Sequence, residues 1–246
     1  MSRLPTLAAG LAFVLLLAAE PAAAQSLRLE LGQGGTFTGQ VVRLVLLVTV
    51  LSLAPSILVM VTSFVRIVIV LSFLRTAIGL QQSPPNPVLV SLALFLTLFV
   101  MGPTFETAWR EGIAPLVEEK VAEPVALERA AAPFHEFMRR QVREKDVALF
   151  LEIARLPPPA RAEDLPFRVL VPAFMISELR RAFEIGFIVF VPFLVIDLVV
   201  ACILMGMGMM MLPPVMISLP FKVIFFVLVD GWALLVGSLV ESFATG

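Results

Sequence analysis

Catalysis needs groups that can be ionised, polarised or oxidised, and this sequence holds few of them close together. There is one histidine, His135, and one cysteine, Cys202. A metal site needs several His, Cys or carboxylate ligands at close spacing. His135 has no second histidine and no cysteine near it, so no metal and no cofactor are expected. Cys202 lies in an apolar run, where a lone thiol reads as a small buried hydrophobe, and a single cysteine allows no intrachain disulfide. The neighbouring carboxylates Glu118 and Glu119 could suggest acid–base work, but Lys120 follows them and the segment reads as a solvated helix face. No Gly-rich phosphate loop and no Ser-His-Asp arrangement occurs. The net charge of -1 supplies no basic field for nucleic acid. The expectation is a protein that catalyses nothing.

Two other features remain. The first is charge inside apolar runs: Arg66, Asp197, Lys222 and Asp230. A charge at mid-bilayer costs about 2.5–3.5 kcal/mol even on the mild insertion scale, so such residues face other helices or a wet path. Asp197 and Lys222 are equidistant from a point inside the segment Met205–Pro214, MGMGMMMLPP. If that segment is the turn of an antiparallel hairpin, the two stand at the same height and can offset each other's desolvation. Either one binding a partner subunit or an ion is the alternative.

The second is the segment itself. Met205, Met207, Met209, Met210 and Met211 lie within seven residues of a chain that has 11 methionines. Methionine is unbranched, apolar and deformable. A ring of such side chains can exclude water from a pore and yet yield around a passing chain; plain packing at a tight turn is the other reading.

These residues must be positioned by membrane-seeking elements. The chain of 246 residues is 59% hydrophobic and 15% charged, with mean hydropathy +1.00. Soluble domains carry about 25% charged residues. Of the 37 charged residues, 26 fall between Glu106 and Glu184, which separates apolar arms from one water-compatible domain. The fold class expected is an all-α membrane protein with two long hydrophobic helical hairpins flanking a small helical extramembrane domain.

Along the chain, Arg3, an apolar core from Leu7 to Ala19 and the small residues before Gln25 make residues 1–24 a cleavable signal peptide. Residues 25–40 are a polar, Gly-rich arm. Residues 41–105 make the first hairpin: an uncharged run from Leu44 to Val65, interrupted by Pro55, resumes after Arg66. The prolines of QQSPPNP, Gln81–Pro87, turn the chain, and Val88–Phe105 returns it. Residues 106–184 form the charged domain. Leu127, Ala131, Phe134, Met138 and Val142 keep a helical spacing there, and Asp146 is a plausible N-cap for the helix that follows. About 80 residues make a small core, so contacts with other subunits are expected to complete it. A further helix runs from Arg168 into the second hairpin, residues 185–246, whose tip is the methionine segment. Four crossings after signal cleavage place the middle domain on the periplasmic side.

Three stretches then resemble one family. SFVRIVIVLSFLRTAIGLQQSPPNPVL (Ser63–Leu89), FMISELRRAFEIGF (Phe174–Phe187) and MGMMMLPPVMISLPFKVIFFVLVDGW (Met207–Trp232) closely resemble FliP, a family of type III secretion export-gate proteins, from about residue 41 to 243. Virulence-associated homologues share this core; the signal and the MMMLPP tip look more like the flagellar branch. The resemblance implies several copies of the chain assembling with FliQ and FliR into an export gate, alongside FlhA, FlhB and FliO. Unfolded rod, hook and filament subunits pass through its centre. It implies the bacterial inner membrane and flagellar basal body as location, with contacts to membrane lipid and none to nucleic acid. The helices sit largely at the periplasmic level once assembled. Met209, Met210 and Met211, with Met205 and Met207 nearby, match the family's pore gasket, and Glu178 matches an acidic residue at subunit contacts. A stand-alone transporter would predict inverted repeats, and the two hairpins show no convincing similarity.

Overall fold

The computed structural model describes residues 37–80, 82–209 and 212–244. The predicted signal peptide lies outside these residues, as do Met210 and Met211. The chain divides into two units, residues 1–52 and 53–246. Helix α1, Phe37–Met60, begins in the first and ends in the second.

Within the second unit the helices are α2 (Phe64–Ile78), α3 (Asn86–Ala108), α4 (Ala114–Val117), α5 (Glu123–Gln141), α6 (Glu144–Ile153), α7 (Phe167–Gly206), α8 (Pro214–Leu228) and α9 (Gly231–Ala244). A π-helical turn, Trp109–Ile113, joins α3 to α4. No strand occurs among the described residues, so the all-α expectation holds.

Prolines start these helices. Pro87, Pro115, Pro124 and Pro214 each stand in a first turn, where the missing N–H has no intrahelical acceptor to lose. Interior prolines bend the reading of the sequence more than they bend the chain. Pro55 was expected to interrupt the first arm, yet α1 runs through it and the break falls at Val61–Ser63. Pro172 and Pro192 both lie inside α7, which continues for 40 residues, about 60 Å at 1.5 Å per residue. The expected boundary at residues 184–185 therefore falls mid-helix. There Arg180 Nε donates to Glu184 Oε1 at 2.9 Å, one helical turn on.

Helix α2 is the centre of the unit. Ile67, Val70, Leu71, Leu74, Ala77 and Ile78 are all buried, with Leu89 and Ala93 of α3, Phe193 of α7, Phe226 of α8 and Leu235, Leu239 and Phe243 of α9 around them. Helices α2 and α7 run parallel: Arg66 meets Glu178, and further along Phe73 meets Phe183 edge-to-face at 5.1 Å. A Cβ on Gly186 would lie 2.6 Å from the Phe73 ring, so the close approach of these helices depends on that glycine.

The charged domain packs on this bundle. Met138, Leu170 and Phe174 form one small core with Val61, and Leu151, Leu165 and Val169 form another. Two local expectations change. Helix α6 starts at Glu144 behind Arg143, so Asp146 stands inside its first turn and is not its N-cap. Leu127 is 61% exposed, because α5 turns Ala130 and Phe134 towards the π-helical turn and α3 instead.

Two of the described helical stretches, Asn86–Val117 and Phe167–Gly206, are long and apolar enough to cross a membrane. Helices α8 and α9 make a third only as a pair bent by 64°. Four crossings are expected from the sequence, the first interrupted at Pro55; the structure breaks the first arm at Val61–Ser63 and the last at Val229–Asp230.

Candidate functional site

The first polar cluster forms where α2 leaves the break at Val61–Ser63. Arg66 is completely buried, and all its N–H groups have acceptors. Nε donates to Glu178 Oε2 at 2.8 Å, and Nη2 donates to Glu178 Oε1 and, at 3.0 Å, to Gln141 Oε1. Nη1 donates to the Ser242 carbonyl at 3.2 Å and to Ser242 Oγ at 3.1 Å. The guanidinium carbon lies 3.8 Å from the centroid of the Phe243 ring, a cation–π contact. Gln141 Nε2 in turn donates to the Phe243 carbonyl at 3.0 Å, and Arg181 Nη1 donates to Gln141 Oε1 at 2.9 Å. One side chain thus joins α2, α5, α7 and α9. Sequence reasoning named Arg66 but found it no partner.

Glu178, expected at subunit contacts, is engaged within the chain. Its side chain is 0% exposed and both carboxylate oxygens accept from Arg66 of the same chain.

The second cluster joins the two hairpins. Lys222 Nζ, almost fully buried, donates to Asp197 Oδ2 at 2.6 Å and to the Ala77 carbonyl at 3.2 Å. Ala77 stands in the last turn of α2, where carbonyls lack intrahelical donors and the helix dipole favours a cation. Ser218 Oγ donates to Asp197 Oδ1 at 2.5 Å, so both oxygens of that carboxylate have partners.

A third cluster pins the charged domain to α7. Ser177 Oγ donates to Asp146 Oδ2 at 2.6 Å, the Arg143 backbone N–H donates to Ser177 Oγ at 3.1 Å, and Arg143 Nε donates to Asp146 Oδ2 at 3.1 Å. His135 Nε2 lies 2.7 Å from the Leu165 carbonyl and its ring packs edge-to-face on Phe167. It serves as a packed polar side chain. No group of His, Cys, Asp or Glu that could hold a metal occurs among the described residues. Cys202 is exposed on the apolar outer surface of α7, not buried as expected, because the half of α7 beyond Phe193 has few neighbours within the chain.

The methionine tip is built by a helix terminus. The Gly208 N–H donates to the Met205 carbonyl and the Met209 N–H to the Leu204 carbonyl, both at 3.0 Å, with Gly208 at φ +77°. This is the Schellman ending that a left-handed glycine permits. It turns Met205, Met207 and Met209 outwards, with 59%, 56% and 42% of their surfaces exposed. Pro213 and Pro214 then launch α8.

Arg66, Glu178 and Lys222 are each paired with an opposite charge on another helix, and Asp146 is held by Arg143 at the start of its own helix and by Ser177 of α7. What these groups do chemically is hold helices in register; none is presented to a substrate.

The FliP family model matches residues 47–239. The chain is 62% identical over 229 residues to the flagellar biosynthetic protein FliP of Caulobacter vibrioides, covering 92% of this chain and 86% of that one. It is 56% identical to the Bacillus subtilis protein of the same name, covering 82% and 91%, and 55% identical to that of Pectobacterium carotovorum, covering 85% and 81%. This all-helical membrane chain, whose charged clusters lock helices together and convert nothing, belongs to the FliP family of flagellar biosynthetic proteins.

Proposed function

We propose that the chain is a core subunit of the flagellar type III export gate. Several copies assemble with FliQ and FliR into a passage across the inner membrane, and unfolded rod, hook and filament subunits travel through it. FlhA, FlhB and FliO belong to the same apparatus. The middle domain lies on the periplasmic side, and the methionines at 205–211 close the passage. The observation that carries this reading is the exposed methionine tip at the end of a helix whose outer half is apolar and uncovered: Phe187, Ile188, Leu194, Leu198 and Ile203 are all more than 40% exposed. A single chain with such faces encloses no passage, whereas copies side by side bury the faces and bring their tips together.

A second observation supports packing against protein in place of lipid. Helix α5 runs antiparallel to the end of α3: Phe105 meets Phe134, and Gly112 meets Ala130. The charged Glu136 and Arg140 therefore stand beside the last third of an apolar helix, and the Arg140 side chain is 66% exposed. The stretch left free, Asn86–Leu98, is about 20 Å long, against a hydrocarbon core of about 30 Å. Helices so flanked suit an assembly held partly above the bilayer.

The test replaces Met209, Met210 and Met211 together by alanine and follows uptake of small solutes with the gate at rest. The expected result is a leak with the assembly intact. An unchanged barrier would remove the gasket from the proposal, and an unchanged flagellar export after deletion of the chain would remove the gate itself.

A further inference from the structure

Two pairs of charges in the apolar arms are settled within the chain: Arg66 with Glu178, and Lys222 with Asp197. Asp230 is not. It stands exposed at the α8–α9 bend, and among the described residues nothing hydrogen-bonds to its carboxylate or pairs with it. Arg75, in the last turn of α2, has neutral acceptors only. Its Nη1 donates to the Pro84 carbonyl at 3.3 Å and to Asn86 Oδ1 at 2.5 Å. Its Nε and Nη2 have no acceptor among the described residues. Those two groups form the side-on fork that a carboxylate fits.

The two residues stand at one level of the bundle. Arg66 of α2 meets Glu178 of α7, and a Cβ on Gly186 would touch the Phe73 ring, so position 76 of α2 is level with 189 of α7. Along the hairpin Asp197 meets Lys222 and Phe193 meets Phe226, so position 230 is level with 189 as well. Leu74, Val189 and Val229 accordingly border one crevice. Yet Arg75 leans on the turn between α2 and α3, and Asp230 belongs to the bend between α8 and α9. The two do not meet within one chain.

The surface around Asp230 is apolar: Val227, Leu228 and Leu234 are 70%, 79% and 61% exposed. Under the proposed function, on which this inference rests, neighbouring copies cover such faces. Asp230 is then taken out of water with them, and a carboxylate so buried opposes the contact unless a counter-charge meets it. Copies set side by side about an axis along their helices keep their levels. One flank of each copy meets the other flank of the next, a head-to-tail contact. A cation at the level of Asp230, with a free fork, is therefore present on every neighbour.

We propose that Asp230 of one copy pairs with Arg75 of the next, so that each copy gives its carboxylate on one side and its guanidinium on the other. The pair sets the height at which neighbours join.

The experiment co-expresses two differently tagged copies of the full chain in native membranes, both with Cys202→Ala. One carries Arg75→Cys and the other Asp230→Cys, and a short bismaleimide is added. The expected product carries both tags and forms several-fold more than when Met216→Cys, exposed at the far end of α8, replaces Asp230→Cys. Equal linking of the two, or a link from position 230 only to an untagged chain, overturns the pairing. The charges are tested without cysteines by Asp230→Asn, Arg75→Gln and the two together. Each single change is expected to lower the assembled fraction on native gels several-fold, and the double change to lower it no further. Single changes without effect, or losses that multiply in the double, overturn the ion pair. The Cys202→Ala chain alone separates the two claims. If it runs as a multi-copy complex without the link, only the pairing falls; if it runs as a single chain, the multi-copy gate falls and the pairing with it.

Discussion

Arg66 and Glu178 stand 112 positions apart in the chain and form an ion pair from which water is excluded on both sides, each side chain being 0% exposed. Removing one partner of such a pair leaves an uncompensated buried charge, at about 3–5 kcal/mol. Glu178→Gln is therefore expected to lower the resistance of the single chain to unfolding and protease before any assembly forms. Glu178→Gln with Arg66→Met, which removes both charges, is expected to recover part of the loss. Denaturant unfolding of the purified chain in detergent measures both. A Glu178→Gln chain as stable as its parent that nonetheless fails to assemble would restore the carboxylate to a subunit contact.

Lys222 and Asp197 lead to a different expectation. Lys222 also donates to the Ala77 carbonyl, and Asp197 also accepts from Ser218. Exchanging the two charges would set a carboxylate against a carbonyl and leave Ser218 facing an ammonium. The swap should then rescue less than the double change Lys222→Met with Asp197→Leu, since apolar replacement of a buried pair is often neutral or stabilising. Unfolding midpoints of the two double variants decide it, and a fully rescued swap would show that the Ala77 and Ser218 contacts contribute little.

Gly112 and Gly102 make a matched pair on one continuous helical stretch. A Cβ at Gly112 would lie 2.6 Å from the backbone nitrogen of Ala130, which cannot move aside without moving α5. Nothing lies within 4 Å of a Cβ at Gly102. Gly112→Ala is expected to destabilise by about 1–3 kcal/mol, as overpacking does. Gly102→Ala should stabilise the isolated chain by up to about 1 kcal/mol through helix propensity. Thermal unfolding of the two variants in detergent would show the opposite signs.

Glu136 links the last turn of α5 to pH. The hydrogen bond from Arg140 holds its carboxyl below the ordinary carboxylate range; burial pushes the other way, and the bond from Arg139 adds to the lowering. A folded-state value below the unfolded one means the stabilisation is complete above the unfolded pKa and is lost as pH falls through the folded value. Acidification across that window should speed amide exchange at Arg139–Gln141, and Glu136→Gln should abolish the pH dependence. Exchange that follows only the intrinsic pH trend in both chains would contradict it.

Much of the architecture is legible because it obeys local rules. Pro84 and Pro85 cannot sit inside a helix without cost, so a turn there follows from the sequence, but the expected span 81–87 runs too far, since Asn86 and Pro87 already belong to α3. Gly208 beside a run of methionines announces a helix end, and a left-handed glycine supplies one. The breaks are less legible. Pro55 and Pro192 carry the strongest signal for interruption, yet the breaks fall at Val61–Ser63 and Val229–Asp230, because neighbouring helices decide where a lost hydrogen bond can be tolerated. The α8–α9 bend has no proline at all; beside it Gly231 packs so closely on the Phe226 ring that a Cβ would not fit.

The sequence alone determines that this protein is helical, membrane-bound and without catalytic machinery, since composition, apolar run length and the scatter of reactive groups require no knowledge of packing. It also sets Asp197 and Lys222 at one height, because two arms sharing a turn are in register by symmetry. Only the tertiary structure decides that Arg66 belongs to Glu178, that α2 is the central helix beside a parallel α7, and that α9 brings Ser242 and Phe243 back to Arg66. Those pairings join helices with no common turn. Their register depends on side-chain packing across the whole bundle, and no local spacing encodes it.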